Sequence, residues 1–353
     1  MKTRLLSLLL ATCMLLSLAA CGAPGENDPA GETSLFTDDC GRQVEIPAHI
    51  SQVVPAGPLA QMLLLSIAPE LMVGTASRWD AEGLEFIPED LRELPYLGRL
   101  VGSGEVNLEQ LALTAPQIII DIGDSKTAVE DLAALQEQTG IPTVFLSASL
   151  QTLPQTYRKL GALLGKEEKA EELAKFCEKV YSRALSVMEQ VGDNKVDTLY
   201  VLGEKGLNVI ARSSYHSEVL DMLTNNLAVV ENPSSKGLGN EVTMEQIALW
   251  NPEFVIFAPG SIYAAAAGMD VWGRVTAIST GRYVEVPQGP YNWMGNPPGA
   301  QRYLSLIWLP AALYPQYCDY DVKADITEYF RLFYGWELTQ GQYARLTQNA
   351  FLK

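Results

Sequence analysis

The sequence predicts an α/β protein of two lobes, each with a mostly parallel sheet, joined by one long α-helix. Short runs rich in β-branched residues alternate with amphipathic stretches from residue 50 onward, in both halves of the chain. A segment rich in Ala, Glu, Lys and Leu separates the halves. One 16-residue pattern also occurs twice, at 105–120 and at 241–256.

The composition allows two hydrophobic cores and argues against one class of partner. The chain has 353 residues, of which 48% are hydrophobic, so each half can bury a core of its own. Its formal net charge is −17. Because phosphate backbones require a basic surface, we expect no nucleic-acid partner.

The first residues have the pattern of an export signal. Two basic residues precede an apolar run over 5–18, which is too short for a stable membrane span. The Leu-Ala-Ala-Cys that follows resembles the lipobox of bacterial lipoproteins. This resemblance implies that the signal peptide 1–20 is removed and that Cys21 is lipidated, which anchors the protein to the membrane. The alternatives are an ordinary secreted protein cut before Cys21, or an uncleaved anchor.

The rest of the chain divides by composition. Residues 21–34 are rich in Gly, Pro and acidic residues, which predicts a flexible tether. We expect an N-terminal lobe over 35–150, a helical connector over 151–191 and a C-terminal lobe over 192–353. The strand candidates are QVVPAG, LMVGTA, QIIIDI and PTVFLS in the first half, and DTLYVLG, LNVIA, EFVIFA and RYVEVP in the second.

The connector is predicted to contain a short helix, a break at Gly165 and a long helix of about 25 residues. At 1.5 Å per residue the long helix spans roughly 35 Å, enough to cross from one lobe to another. The alternative is an ordinary surface helix within one domain. Its apolar positions recur at helical spacing: Leu173, Phe176, Cys177, Val180, Tyr181 and Leu185.

The repeated pattern predicts the same capped helix and strand in each half. Asn107 and Thr243 stand at the N-cap positions, and Gln110 and Gln246 follow three residues later, where they can close a capping box. A proline ends each helix and an apolar strand follows. The duplicated feature is therefore a structural unit, a capped helix followed by a strand, that occurs once in each half.

Glu109 and Glu245 occupy the second helical position in the two copies. The simplest explanation is that a carboxylate near a helix N-terminus is favoured by the helix dipole. The alternative is that both glutamates are exposed, one on each lobe, and engage basic groups of a partner with two-fold symmetry.

Several segments carry a resemblance to a known family, and they occur in the family's order: TDDCGRQVEIP, APELMVGTA, VNLEQLALTAPQIII, TGIPTVFL and VWGRVTAISTGRYVEVP. They resemble those of the ABC-transporter substrate-binding proteins of the iron–siderophore, haem and cobalamin type. The resemblance runs from about residue 35 to 316, with Gln117 where the family usually has Asp.

This resemblance implies two Rossmann-like α/β lobes joined by one long helix that limits closure, with the ligand held in the cleft between them. It also implies that Glu109 and Glu245 dock onto arginines of a permease dimer, which works with an ATPase. The protein would then lie on the outer face of the cytoplasmic membrane.

Ligand contacts in such a fold come from loops at the carboxyl ends of strands. Aromatic rings in Gly- and Pro-rich loops suit a large, partly apolar ligand, and arginines suit its negative charge. The alternatives are rings that fill gaps in the core, and an arginine that bonds loop carbonyls. We also interpret His216 as a polar loop residue rather than a metal ligand. The candidate ligand-binding residues are Arg78, Trp79, Tyr215, Tyr291, Trp293 and Arg302.

The predicted function is capture of an iron complex or a corrinoid and its delivery to an ABC permease. The alternative ligand is molybdate or tungstate, and the alternative classes are a lipoprotein enzyme or an adhesin. The sequence contains no GxSxG or HExxH motif, so we expect no enzyme activity. Two histidines and no CxxC pair predict no cofactor or metal site of the protein's own.

Overall fold

The computed structural model describes residues 32–81, 83–102, 107–123, 129–234 and 236–352. The predicted signal peptide, Cys21 and most of the predicted tether lie outside these ranges. No helix within the described ranges is long and apolar enough to cross a bilayer.

A hairpin and a three-stranded parallel sheet form the first lobe, with strand order β3-β4-β5. The predicted strand LMVGTA is wrong, because this segment makes only isolated bridges at Met72 and Thr75. The elements are β1 (Thr33–Thr37), β2 (Gln43–Pro47), β3 (Val53–Pro55), α1 (Pro58–Ile67), α2 (Glu89–Arg92), α3 (Leu108–Thr114), β4 (Ile118–Gly123), α4 (Val129–Thr139) and β5 (Thr143–Ser147).

The connector contains the two predicted helices, α5 (Leu153–Leu164) and α6 (Glu167–Val191). Gly165 has a left-handed φ of 65° and separates them, which confirms the predicted break. Helix α6 has 25 residues, as predicted. The prediction that Leu185 lies on the apolar face of α6 is wrong, because Leu185 is 47% exposed and the buried stripe continues through Ala184.

The second lobe contains a separate sheet of six strands in the order β11-β10-β6-β7-β9, with β8 also beside β6. Its pairings are parallel except those that involve β7 and β9. The elements are β6 (Asp197–Leu202), β7 (Asn208–Val209), α7 (Glu218–Leu223), β8 (Asn225–Asn226), β9 (Asn240–Glu241), α8 (Met244–Trp250), β10 (Phe254–Phe257), α9 (Thr276–Ser279), β11 (Tyr283–Glu285), α10 (Arg302–Leu313), α11 (Val322–Tyr334) and α12 (Gln340–Leu346).

Both sheets are buried on both faces, which explains why their strands are continuously apolar. In β4, Ile118 and Ile120 face the central core, whereas Ile119 faces a smaller cluster on the other side. In β10, Phe254 and Ile256 face the same central core, and Val255 faces an outer cluster. One core therefore joins both lobes through α6, and the predicted α/β architecture with a connecting helix is confirmed.

The C-terminal helices contact the first lobe. The Phe86 and Phe330 rings lie edge to face with centroids 5.1 Å apart, and Glu85 forms an ion pair with Arg345 of α12. Further along, the Asn349 side-chain amide donates to Glu285 of β11 at 2.8 Å. The domain boundaries stay predictions, and this packing argues against assigning all of 192–353 to the second lobe.

The opening hairpin is fastened to the first sheet by a buried carboxylate. Asp38 accepts hydrogen bonds from Arg42 Nε at 2.9 Å and Nη2 at 2.7 Å, and from the Phe145 backbone N–H of β5 at 3.3 Å. The Asp38 side chain is inaccessible to solvent. Breaking a buried ion pair by removing one partner leaves the other charge uncompensated.

We expect Asp38→Ala to lower the free energy of unfolding by about 3 kcal/mol. The control is Asp270→Ala, because Asp270 forms an i,i+4 pair with Arg274 of the same type that is exposed on the surface. Urea unfolding followed by circular dichroism should show a large loss for the first variant and little change for the second. Equal losses would contradict the role of Asp38.

Candidate functional site

A cavity of about 660 Å³ lies between the two lobes. The first lobe contributes Ala56–Leu59, which follow β3, and Asp121–Gly123 at the end of β4. The second lobe contributes Tyr215, His216 and the segment 296–298. The carboxyl ends of parallel strands thus form one wall, which is where open α/β sheets bind ligands.

Helix α1 points its N-terminus at this cavity. Gly57 is the N-cap in an extended conformation, Pro58 occupies the first turn, and no side chain caps the helix. The first N–H groups of a helix have no partner within the helix and carry partial positive charge. This end of α1 therefore suits an anion.

Two cationic side chains, Arg99 and Lys236, line the cavity from opposite lobes. Both residues are exposed, and neither forms an ion pair with any residue that the structure describes. Asp131, which belongs to the first lobe, adds a negative charge to the cavity lining.

Asp121 lies at the carboxyl end of β4, close to Gly57. Burial disfavours its charged form and raises its pKa to about 6. Because a large share of this carboxyl is protonated near that pH, Asp121 repels an anion less than an ordinary aspartate would.

The second-lobe wall is held by hydrogen bonds to its neighbours. The Tyr215 hydroxyl donates to the Ala148 carbonyl of the first lobe at 2.9 Å. His216 Nδ1 lies 3.1 Å from the Gly295 carbonyl, to which it donates a hydrogen bond.

A second link between the lobes lies beside this wall. The Leu150 backbone N–H donates to Glu218 at 3.2 Å, and the Tyr303 hydroxyl donates to the Leu150 carbonyl at 2.7 Å. Glu218 also forms an ion pair with Arg302. The loop after β5 is therefore bonded to the second lobe on one side of the cleft.

Of the six predicted ligand-binding residues, only Tyr215 lines the cavity. Trp293 is fully buried, and its Nε1 donates to the Gly289 carbonyl at 3.0 Å. Tyr291 is also buried, which raises the pKa of its hydroxyl well above the usual value. Both rings pack in the core and lie outside the lining of this cavity, and the predicted role of this loop in ligand contact stays a prediction.

The predicted arginines and Trp79 also have structural partners. Arg302 is 1% exposed and, besides Glu218, its Nε donates to the Gly299 carbonyl at 3.3 Å, which matches the alternative of a bond to loop carbonyls. Trp79 Nε1 donates to the Leu91 carbonyl at 3.1 Å. Arg78 is exposed and lies over the Tyr96 ring, 4.4 Å from its centroid, outside the cavity lining.

Sequence reasoning did not select Arg99, Lys236 or Asp121 as site residues, and it interpreted His216 as a polar loop residue. Asp121 directly follows the run of isoleucines in β4, so its place at a strand end was the available signal. Arg99 and Lys236 lie in loops without a strand of their own, and no pattern in the sequence marks them.

The repeated helices α3 and α8 expose both predicted docking glutamates. Asn107 accepts from the Gln110 backbone N–H at 3.0 Å, and Thr243 accepts from that of Gln246 at 3.2 Å. The two N-caps are confirmed. The predicted capping box in α3 is wrong in its second hydrogen bond, because the Asn107 N–H donates to the Leu97 carbonyl and not to the Gln110 side chain.

Glu245 is held in its charged form by local donors. Hydrogen bonds from its own backbone N–H and from the Thr243 hydroxyl lower the pKa of its carboxyl. Both helices end in a left-handed residue, Ala115 or Asn251, directly before a proline. The two copies thus share caps and terminators as well as sequence.

Two α/β lobes, one connecting helix and an interlobe cleft define a two-lobed solute-binding protein. The family model described as periplasmic binding protein matches residues 83–289, which is more than half of the chain. The chain therefore belongs to the periplasmic binding protein family, whose members act outside the cytoplasm and are solute-binding proteins, not enzymes. They work with a permease and a small-molecule ligand.

Solved structures agree with this assignment. An ABC transporter solute binding protein from Sulfurospirillum deleyianum has a TM-score of 0.82 at 26% identity, over 89% of this chain and 99% of that chain. A periplasmic solute binding protein from Veillonella parvula has a TM-score of 0.75 at 22% identity, over 90% and 98%. The molybdate-binding protein MolA of Haemophilus influenzae has a TM-score of 0.71 at 19% identity, over 87% and 99%. No curated protein matches the chain.

We expect Asp121→Asn to change how stability depends on pH. Burial raises the folded-state pKa of Asp121 to about 6, above the usual 3.8, so ionisation costs the folded wild-type protein stability as pH rises from 4 to 6. The Asn variant does not ionise, and its stability relative to wild type should rise by up to about 3 kcal/mol over this range. Urea unfolding at a series of pH values measures the difference. A difference that does not change with pH would contradict the raised pKa.

Proposed function

We propose that the protein captures a solute on the outer face of the cytoplasmic membrane and delivers it to an ABC permease. The observation that carries this proposal is the cleft between the lobes, which is lined by strand ends of one lobe and loops of the other. Such a cleft encloses a ligand from two sides.

The ligand proposed is a compact anion, with a negatively charged iron chelate as the first candidate. The uncapped end of α1, Arg99 and Lys236 supply positive charge from both lobes. Among the described lining residues, the phenol of Tyr215 and the imidazole of His216 are the aromatic rings, and the rings of Tyr291 and Trp293 lie in the core. This arrangement favours a small charged ligand over the stacking of haem or a corrinoid.

Molybdate or tungstate is the second candidate. A helix N-terminus with glycines beside it binds an oxyanion through backbone N–H groups. Gly57, Gly102 and Gly123 stand on the first-lobe wall of the cleft. The similarity in fold to a protein that binds molybdate supports this candidate.

The membrane attachment proposed is lipidation of Cys21, with the segment between Cys21 and β1 as a tether to the lobes. The predicted tether of 21–34 is two residues too long, because Thr33 and Ser34 belong to β1. Two acyl chains hold a protein on a bilayer where one is marginal. Fractionation of cells tests this: Cys21→Ser should move the protein from the membrane to the soluble fraction.

Isothermal titration calorimetry on the chain without residues 1–21 tests the ligand class. The probes are ferric citrate, molybdate, haem and cyanocobalamin. We expect heat of binding with ferric citrate or molybdate and none with the macrocycles. Binding of haem or cyanocobalamin alone would overturn the proposal that the ligand is a compact anion. No response to any probe would contradict the proposed capture of a solute.

Arg99→Ala and Lys236→Ala should each weaken binding of the responding anion about tenfold, because each removes one charge-assisted contact. Arg282→Ala and Lys205→Ala are the matched controls, since both side chains are exposed on the second lobe outside the cleft lining. Titration of all four variants makes the comparison. Equal losses in cleft and control variants would show that only the net charge matters.

Docking on the permease is proposed to use Glu109 and Glu245, one on each lobe, against basic groups of the permease dimer. The double variant E109K/E245K should abolish uptake and leave ligand affinity unchanged, because neither glutamate lines the cleft. The control E137K/E204K makes the same charge change at exposed sites on the two lobes. Normal uptake by E109K/E245K would end the docking proposal.

A further inference from the structure

The two repeated helices expose leucines as well as glutamates. Leu113 of α3 is 74% exposed and Leu249 of α8 is 79% exposed. These leucines occupy equivalent positions in the two copies, each four residues after the glutamate. A single exposed leucine needs no explanation, but the same exposure at the same position in two lobes does.

Each leucine lies on the same helix face as its glutamate. Residues four apart on a helix are neighbours on its surface, so Glu109 adjoins Leu113 and Glu245 adjoins Leu249. The opposite face is buried through Leu111 in α3 and Ile247 in α8. The exposed leucines therefore do not serve the core of either lobe.

A small residue lies on the same face of each helix. Ala112 and Ala248, three residues after the glutamates, are both exposed. Each lobe thus presents a carboxylate, an alanine and an apolar side chain on one helix face, which we call the acid–leucine face. Its members are Glu109, Ala112 and Leu113 on the first lobe, and Glu245, Ala248 and Leu249 on the second.

The duplication identifies the kind of partner. A partner that offers the same surface twice has two-fold symmetry, as a permease dimer does. The charge of the face requires a basic group at each site, and the leucine requires an apolar pocket next to it. A second copy of this chain fits less well, because its net charge is −17 and its two acid–leucine faces would bring four glutamates together.

We propose that Leu113 and Leu249 are docking residues, each of which inserts into an apolar pocket beside the basic group that receives its glutamate. This inference rests on the proposed docking function and adds the apolar half of the contact. The glutamates provide orientation by charge, and the leucines provide most of the buried apolar area.

The test is binding of the full chain to the proposed permease–ATPase complex of the same organism, held in nanodiscs, without added ligand. Leu113→Gln with Leu249→Gln keeps helix propensity while it removes the apolar contact. We expect this double variant to bind at least tenfold more weakly. The control is L35Q/L185Q, which changes two exposed leucines outside the acid–leucine faces.

The outcomes separate the inference from the docking proposal. If L113Q/L249Q binds like wild type while E109K/E245K does not, the glutamates dock and the leucine contact is refuted. If neither variant loses binding, or wild type does not bind, the docking proposal fails and the inference fails with it.

Sedimentation of the same variants tests whether a second copy of the chain, and not the permease, covers the acid–leucine faces. If wild type forms a dimer that L113Q/L249Q abolishes, while permease binding is unchanged, the leucines serve a second copy of the chain and the inference is overturned. An unchanged monomer in all variants agrees with the permease as the partner.

Discussion

Helix α6 is the constraint on which the arrangement of the protein depends. Its buried face packs into the core that reaches the inner faces of both sheets. Because one core serves both lobes, the lobes cannot separate without exposing apolar surface. The shared core therefore keeps the lobes together. The loop after β5 is bonded to the second lobe, because the Tyr215 hydroxyl donates to the Ala148 carbonyl and Glu218 accepts from the Leu150 N–H.

The chemistry of the cleft follows from this constraint. The strand ends of the first lobe bring the N-terminus of α1 and Asp121 to one wall, and loops of the second lobe bring His216 and Lys236 to the other. The proposed preference for a compact anion follows from the charge of these walls and from the size of the cavity between them.

The sequence predicts well those features that depend on local patterns. The 25-residue helix, the break at Gly165 and the exposed glutamates of the repeat come from periodicity, capping and duplication. Prediction from the sequence fails where packing between residues far apart in the chain determines the position of a side chain. Trp293 stands in a Gly- and Pro-rich loop that suggests a ligand contact, yet its ring packs against Phe330 of helix α11, 37 residues later in the chain. Arg99 and Lys236 belong to different lobes, so only the folded arrangement of the two lobes brings both side chains to the same cavity.

The central claim is that the ligand lies between the lobes against the end of α1. A crystal structure of the soluble chain, purified from rich medium with its ligand retained, tests this most directly. The account predicts ligand density in contact with Gly57–Leu59 and within reach of Arg99 and Lys236. Density instead in the cavity lined by Glu85, Glu285 and Arg345, with an empty cleft, would contradict it.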